Sequence, residues 1–351
     1  MLATETSAVV VPEPATLPPE NFLVWKQIVA SVEPFLHAVS RRLGEQIDEF
    51  EPDMAGYVEY ALTNQGKQLR PTLVALSGGA TGRVFDAHIL VAVIIEMVHL
   101  ATLVHDDVID EAEIRRGRPT VAASWGNEIS VLLGDCLFAH ALKLAASFPT
   151  PDICRAVASA TNTVCSGEIL QTQRLQNFEL TRADYFKVLQ MKTGELFALS
   201  CELGAFLNGA PPGQRAALRQ YGLALGTAYQ VYDDCLDLFG SEATAGKSLG
   251  TDLAKGKLTL PMLILLEKLE GSERSRVQTL VRAWEPGHFP QVMEWLQRHK
   301  TLVASRRAAD QYLDKARQAL KALPASESRA ALFGLAEYLA QQTEALGTSR
   351  R

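Results

Sequence analysis

Residues 89–110 read ILVAVIIEMVHLATLVHDDVID. The apolar run from Ile89 to Val104 contains Glu96 and His99 and stops at Asp106. A membrane span needs roughly 20 predominantly apolar residues, so this run is too short and too interrupted to be one. It is predicted to be a helix buried on nearly all sides within a helical bundle. Ending such a helix with Asp106, Asp107 and Asp110 places three like charges, on residues with poor helix propensity, beside a core.

Helical spacing dominates the rest of the chain, and strand alternation is hard to find. Candidate helices cover 21–49, 54–64, 69–79, 86–111, 120–147, 151–174, 181–208, 212–238 and 259–269, with more from 274 to 345. Between them lie loop-forming stretches such as GGATG at 78–82, RRGRPT at 115–120 and GAPPG at 209–213. No repeat of the solenoid kind is present. The expected architecture is an all-α, single-domain bundle. It would occupy 21–351, after a proline-rich tail at 1–20 that is predicted to be mobile.

Of 351 residues, 47% are hydrophobic and 21% charged, an ordinary globular balance. A net charge of −6 without a basic stripe argues against nucleic acid. The start of the chain lacks a basic leader before an apolar core, so no signal peptide is expected. Five cysteines (Cys136, Cys154, Cys165, Cys201, Cys235) without CxxC spacing read as buried small apolar residues in a reducing, cytoplasmic compartment.

Asp106, Asp107 and Asp110 stand at i, i+1 and i+4, so the first and last share a helix face and Asp107 lies about 100° round. Two carboxylates about 4 Å apart repel by roughly 1 kcal/mol in water and about 4 kcal/mol at an effective dielectric of 20. A partly buried cluster must therefore bind protons or cations. Oxygen-only ligands with open positions suit Mg²⁺ completed by substrate phosphates. One such cluster is readily explained as a solvated acidic helix end. However, YQVYDDCLDLFG repeats the spacing with Asp233, Asp234 and Asp237, again within an apolar helix. A metal–diphosphate complex would fit between the two if they face each other.

Cations accompany both clusters. NQGKQLRPTL offers Lys67 and Arg70 after Gly66, and EIRRGRPT offers Arg115 and Arg116. MKTGELF offers Lys192 with the Thr193 hydroxyl, and AGKSLGTDLAKGKLTLP offers Lys247 and Lys257. Arginine recognises phosphate as a planar fork and lysine as a mobile point charge. Each alone reads as a surface charge. His99 alone reads as a core histidine, or as a donor to a diphosphate deeper in the cavity.

With these residues in view, the chain resembles the trans-isoprenyl diphosphate synthases of the polyprenyl synthetase family. GKQLRP, EMVHLATLVHDDVIDEAEIRRGRPT, WGNEISVLLGDCLFA, GEILQ, KTGELF, YQVYDDCLDLFG and GTDLAKGKLTLP occur in the family's order over residues 25 to 345. The resemblance implies an all-α homodimer with both aspartate motifs facing a cavity, and three Mg²⁺ ions. Asp106 and Asp110 would hold two ions and Asp233 the third, with Asp107, Asp234 and Asp237 in support. Arg115, Lys192, Thr193, Gln230 and Lys257 would hold an allylic diphosphate. Gly66, Lys67, Arg70, His99 and Arg116 would hold isopentenyl diphosphate, and Lys247 has a less defined role. Tyr229 stands where the family commonly has phenylalanine.

The reaction so implied is ionisation of the allylic diphosphate, attack by the isopentenyl double bond, and proton loss. In that family a bulky aromatic four or five positions before the first aspartate stops growth early. Here those positions are Thr102 and Ala101, and deeper along the helix come Val98, Met97 and Ile94. A product of C30 or longer, handed on to a membrane, is therefore expected. A residue on another helix could set the limit instead, giving a C15 or C20 product. A non-catalytic partner subunit would be expected to lose the second cluster or the lysines. A terpene cyclase would not need Lys67, Arg70 and His99.

Overall fold

The computed structural model describes residues 25–63, 66–241 and 249–347. The tail expected at 1–20 and Lys247 lie outside these residues. In chain order the helices that matter begin with α1 (Glu33–Glu45), α2 (Ala55–Thr63), α3 (Leu69–Thr81) and α4 (Asp86–Ile109). A hairpin of β1 (Ile114–Arg115) and β2 (Arg118–Pro119) follows, then α5 (Val121–Trp125), α6 (Asn127–Ala146) and α7 (Asp152–Gln173). Next come α8 (Arg182–Leu189), α9 (Glu195–Phe206), α10 (Pro212–Phe239) and the short α11 (Thr251–Ala254). The C-terminal part adds α12 (Leu260–Lys268), α13 (Gly271–Arg282), α14 (Phe289–Arg298), α15 (Thr301–Ala319) and α16 (Glu327–Ala345).

The all-α expectation holds, and α4 is the reason. Its apolar residues point in every direction, so it is stable only when wrapped on all sides. It packs against α6, α3, α1 and α9, burying Val91 through Val98 completely or nearly so. α4 and α6 are both long and apolar enough to cross a membrane by composition. In this protein both are packed within the bundle, and α6 leaves Val131 and Leu132 exposed along one side. The 28-residue α10 belongs to both hydrophobic clusters. Its first half, Leu218 to Ala228, packs into the main core, and Val231 to Phe239 join a second cluster with α12, α13 and α14.

Three local expectations change. The helix expected over 120–147 breaks at Gly126, whose φ of 90° no helix accommodates. The one expected over 181–208 is interrupted at Gln190–Gly194 by a π turn. RRGRPT is not merely a loop: Arg116 (φ 52°) and Gly117 (φ 73°) form a left-handed two-residue turn closing the antiparallel hairpin. The cysteines are also less uniform than expected. All are free, but only Cys201 and Cys235 are buried, and Cys165 is exposed.

Candidate active site

The π turn organises the site. A π turn inserts one residue into the helical ladder, and such insertions occur frequently at functional positions. Here the inserted turn presents two neighbours, Lys192 and Thr193, to opposite aspartate clusters. Lys192 Nζ lies 2.7 Å from Glu168 of α7 and 3.5 Å from Asp106 of α4. The Thr193 hydroxyl donates to Gln230 Oε1 on α10 at 2.8 Å, and Gln230 Nε2 donates to Asp234 at 2.9 Å. The two clusters thus converge on one turn. Gly167 permits it, because a Cβ there would stand 2.9 Å from Met191 Cβ and 3.0 Å from the Lys192 nitrogen.

The six aspartates divide into two sets. Asp106 and Asp110 have side chains 13% and 20% exposed and are paired, among the described residues, with lysines, which can turn away. Lys257 Nζ donates to both oxygens of Asp110, at 3.0 and 3.1 Å, and Lys255 Nζ lies 3.2 Å from Oδ2. Burial would raise the Asp110 pKa, but Lys257, Lys255 and Lys192 outweigh it and hold the carboxyl below its usual range. Asp233 is half-buried and acts electrostatically on Lys67.

Asp107, Asp234 and Asp237 are instead buried and engaged by protein donors. Asp107 accepts from Arg115 Nε at 2.7 Å. Asp234 accepts from the Tyr185 hydroxyl at 2.5 Å as well as from Gln230, and burial, with Asp252 nearby, pushes its pKa up to about 8. Asp237 accepts from the Thr251 hydroxyl and from the backbone of Thr251 and Asp252, tying down the start of α11. These three carboxylates thus orient the residues around them.

The second cationic group sits against α4. Arg116, on its left-handed turn, packs so closely over Gly66 that a Cβ there would be 2.7 Å from its Nη2. Arg70 lies 5.2 Å over the Phe197 ring and shares an electrostatic field with Arg116 and the buried Glu96. His99 stands within this group, and burial together with Arg70, Arg116 and Arg115 holds its pKa well below 6.5. It is therefore a neutral imidazole at physiological pH. Ala101, Val98, Met97 and Ile94 are fully buried below the aspartates, and Thr102 is half-buried with its hydroxyl bonded to the His99 carbonyl.

Sequence reasoning passed over Glu168, Lys255, Tyr185 and Glu96. The first two lie within the motifs GEILQ and GTDLAKGKLTLP, but only the tertiary contacts show their role. Tyr185 carried no signal, since its partner is 49 positions away.

A model of the Polyprenyl synthetase family matches residues 51–296, which hold both aspartate clusters, the π turn and the α11 loop. The chain belongs to the polyprenyl synthetase family. This polyprenyl synthetase is 34% identical to an octaprenyl diphosphate synthase of Escherichia coli, over 81% of this chain and 88% of that one. It is 33% identical to heptaprenyl diphosphate synthase component 2 of Bacillus subtilis, over 92% of each. A polyprenyl synthase from Caulobacter crescentus, solved with calcium and isoprenyl diphosphate, superposes with a TM-score of 0.85 at 33% identity. That superposition covers 90% of this chain and 97% of the other. The fold is that of the isoprenoid synthases, and the protein is a prenyl-transferring enzyme.

Among the described residues, no three His, Cys, Asp or Glu side chains form a ready-made metal cage. Partly exposed carboxylates on α4 and α10, joined through the π turn, fit a hard cation that keeps waters and is completed by phosphate oxygens. They do not fit a metal demanding a closed protein shell.

Proposed function

We propose that this enzyme condenses isopentenyl diphosphate with an allylic diphosphate, releasing inorganic diphosphate and extending an all-trans chain by one isoprene unit. The observation that carries this reading is the π turn, whose Lys192 and Thr193 tie both aspartate clusters to one site. Mg²⁺ held by Asp106 and Asp110, as two ions, and by Asp233, as a third, would supply Lewis-acid stabilisation to the leaving diphosphate.

The chain's own residues do the rest. Arg115, Lys192, Thr193, Gln230 and Lys257 hold the allylic diphosphate, so that charge developing on its bridging oxygen meets pre-set donors. Lys67, Arg70 and Arg116, with the neutral His99 as donor and Gly66 giving room, hold isopentenyl diphosphate. The double bond attacks the allylic cation, and a proton from the new cation leaves to the departing diphosphate. The apolar wall of α4 keeps water from quenching the cation.

We assign a product of C30 or longer. Ala101 and Thr102 leave no aromatic stop, and the relatives named above are an octaprenyl diphosphate synthase and a component of a heptaprenyl diphosphate synthase. The exposed apolar residues Trp125, Val131 and Leu132, with Ile169 on α7, support a homodimer of one all-α unit. Because one relative is a synthase component, a heteromer is the second reading, and light scattering of the purified chain separates the two. Free cysteines suit the cytoplasm, with the long product passing to a membrane.

The deciding experiment supplies purified protein with Mg²⁺, labelled isopentenyl diphosphate and separate primers, then sizes the dephosphorylated products. Long-chain alcohols that vanish on chelation are expected. If no C5 unit is incorporated, the proposal fails.

A further inference from the structure

Resting on the reading just given, we propose that Lys255 is a second lysine of the diphosphate site. It pairs with Asp110 and moves to the allylic diphosphate when a divalent cation takes that carboxylate. Four carboxylates around the first cluster, Asp106, Asp107, Asp110 and Glu168, face Lys192, Arg115, Lys257 and Lys255. Without Lys255 every one of these carboxylates still has a cationic partner, since Lys257 already bonds both oxygens of Asp110. Lys255 therefore completes the charge balance of this cluster but is not needed to satisfy Asp110.

Its placement is built rather than incidental. Asp237 anchors the start of α11, and Lys255 caps its end. Gly256 then turns the chain at φ 72°, with its carbonyl accepting from the Gln176 nitrogen at 2.8 Å. The Lys257 nitrogen returns to the Asp252 carbonyl at 2.8 Å. This tight turn sends both lysines to the same carboxylate. The Lys255 side chain is only 34% exposed, against 16% for Lys257. A second, partly exposed ion pair adds little to a carboxylate that Lys257 already satisfies. A mobile ammonium beside a carboxylate that must be vacated can serve first that group and then an arriving phosphate.

The test compares the full-length enzyme with Lys255→Gln, using Mn²⁺ as the probe ion. With no substrate present, Mn²⁺ binding followed by electron paramagnetic resonance should tighten several-fold in K255Q, because a competing cation has gone. In steady-state assays the KM for the allylic diphosphate should rise about 3- to 10-fold, the loss of one charge-assisted contact, and the melting temperature should stay within a degree or two. Lys255→Arg should restore the KM. The proposal stands only if both the Mn²⁺ affinity and the KM move. If either matches the wild type while the wild type elongates normally, Lys255 is a surface charge and the proposal is overturned alone. A wild type that neither elongates nor binds Mn²⁺ overturns this proposal together with the assigned reaction.

Discussion

Lys257 and Asp110, 147 positions apart in sequence, meet through two hydrogen bonds of 3.0 and 3.1 Å. The contact closes the loop after α11 onto the tip of α4, so the last cationic motif reaches the first acidic one. Such a lysine holds the carboxylate and, in the proposed reaction, would offer a donor to the leaving group. Lys257→Ala should lower kcat/KM by about 10²-fold, the usual cost of one transition-state donor. Steady-state kinetics beside a circular dichroism melt would check this. A tenfold or smaller loss would reduce Lys257 to a structural pair.

Gly167 meets the π turn at a distance that leaves no room for a methyl group. Gly167→Ala should cost about 1–3 kcal/mol as an overpacked contact and displace Lys192 from Asp106. The expected outcome is a folded protein with a lowered melting temperature and at least a tenfold loss in turnover. Full activity at a lowered melting temperature would mean that the turn tolerates the shift.

Ala101 is fully buried on α4, five positions before Asp106. One helical turn advances about 5.4 Å, so a ring at this position would stand little more than one turn below the reacting carbons. Ala101→Phe should shift the products toward C15 and C20 when the dephosphorylated alcohols are separated by chromatography. An unchanged product ladder would transfer control of length to another helix.

His99 gives a pH dependence whose sign is fixed by its environment. Its folded-state pKa lies well below the ordinary 6.5, because burial and three arginines oppose a further positive charge. Below that pH the unfolded chain takes up a proton that the folded chain refuses. The stability contribution is therefore complete above pH 6.5 and is lost as the pH falls, by about 1.4 kcal/mol per unit. His99→Gln removes the titration and keeps a side-chain donor. Thermal melts at pH 8 and 5.5 should show the wild type losing ground to H99Q only at the lower pH. The buried His88 and His140, also held low, are present in both proteins and cancel.

What the sequence determined by itself was local and periodic. The apolar circumference of residues 89–104 required burial of α4, and hence a bundle. The repeated i, i+1, i+4 aspartates marked two helix tips, and glycines beside lysines and arginines marked candidate phosphate loops. All of these signals lie within a turn or two of chain, where spacing translates directly into a shared face. The tertiary structure alone decided which donors each carboxylate meets. Asp106 and Asp110 carry the same letter as Asp107, Asp234 and Asp237, but packing sets lysines against the first two, and Arg115, Tyr185 and the α11 backbone against the last three in turn. The π turn that joins the clusters, and the lysine pair on Asp110, likewise depend on contacts between distant segments. Hydrogen bonding and burial, unlike periodicity, are not written in the spacing of neighbours.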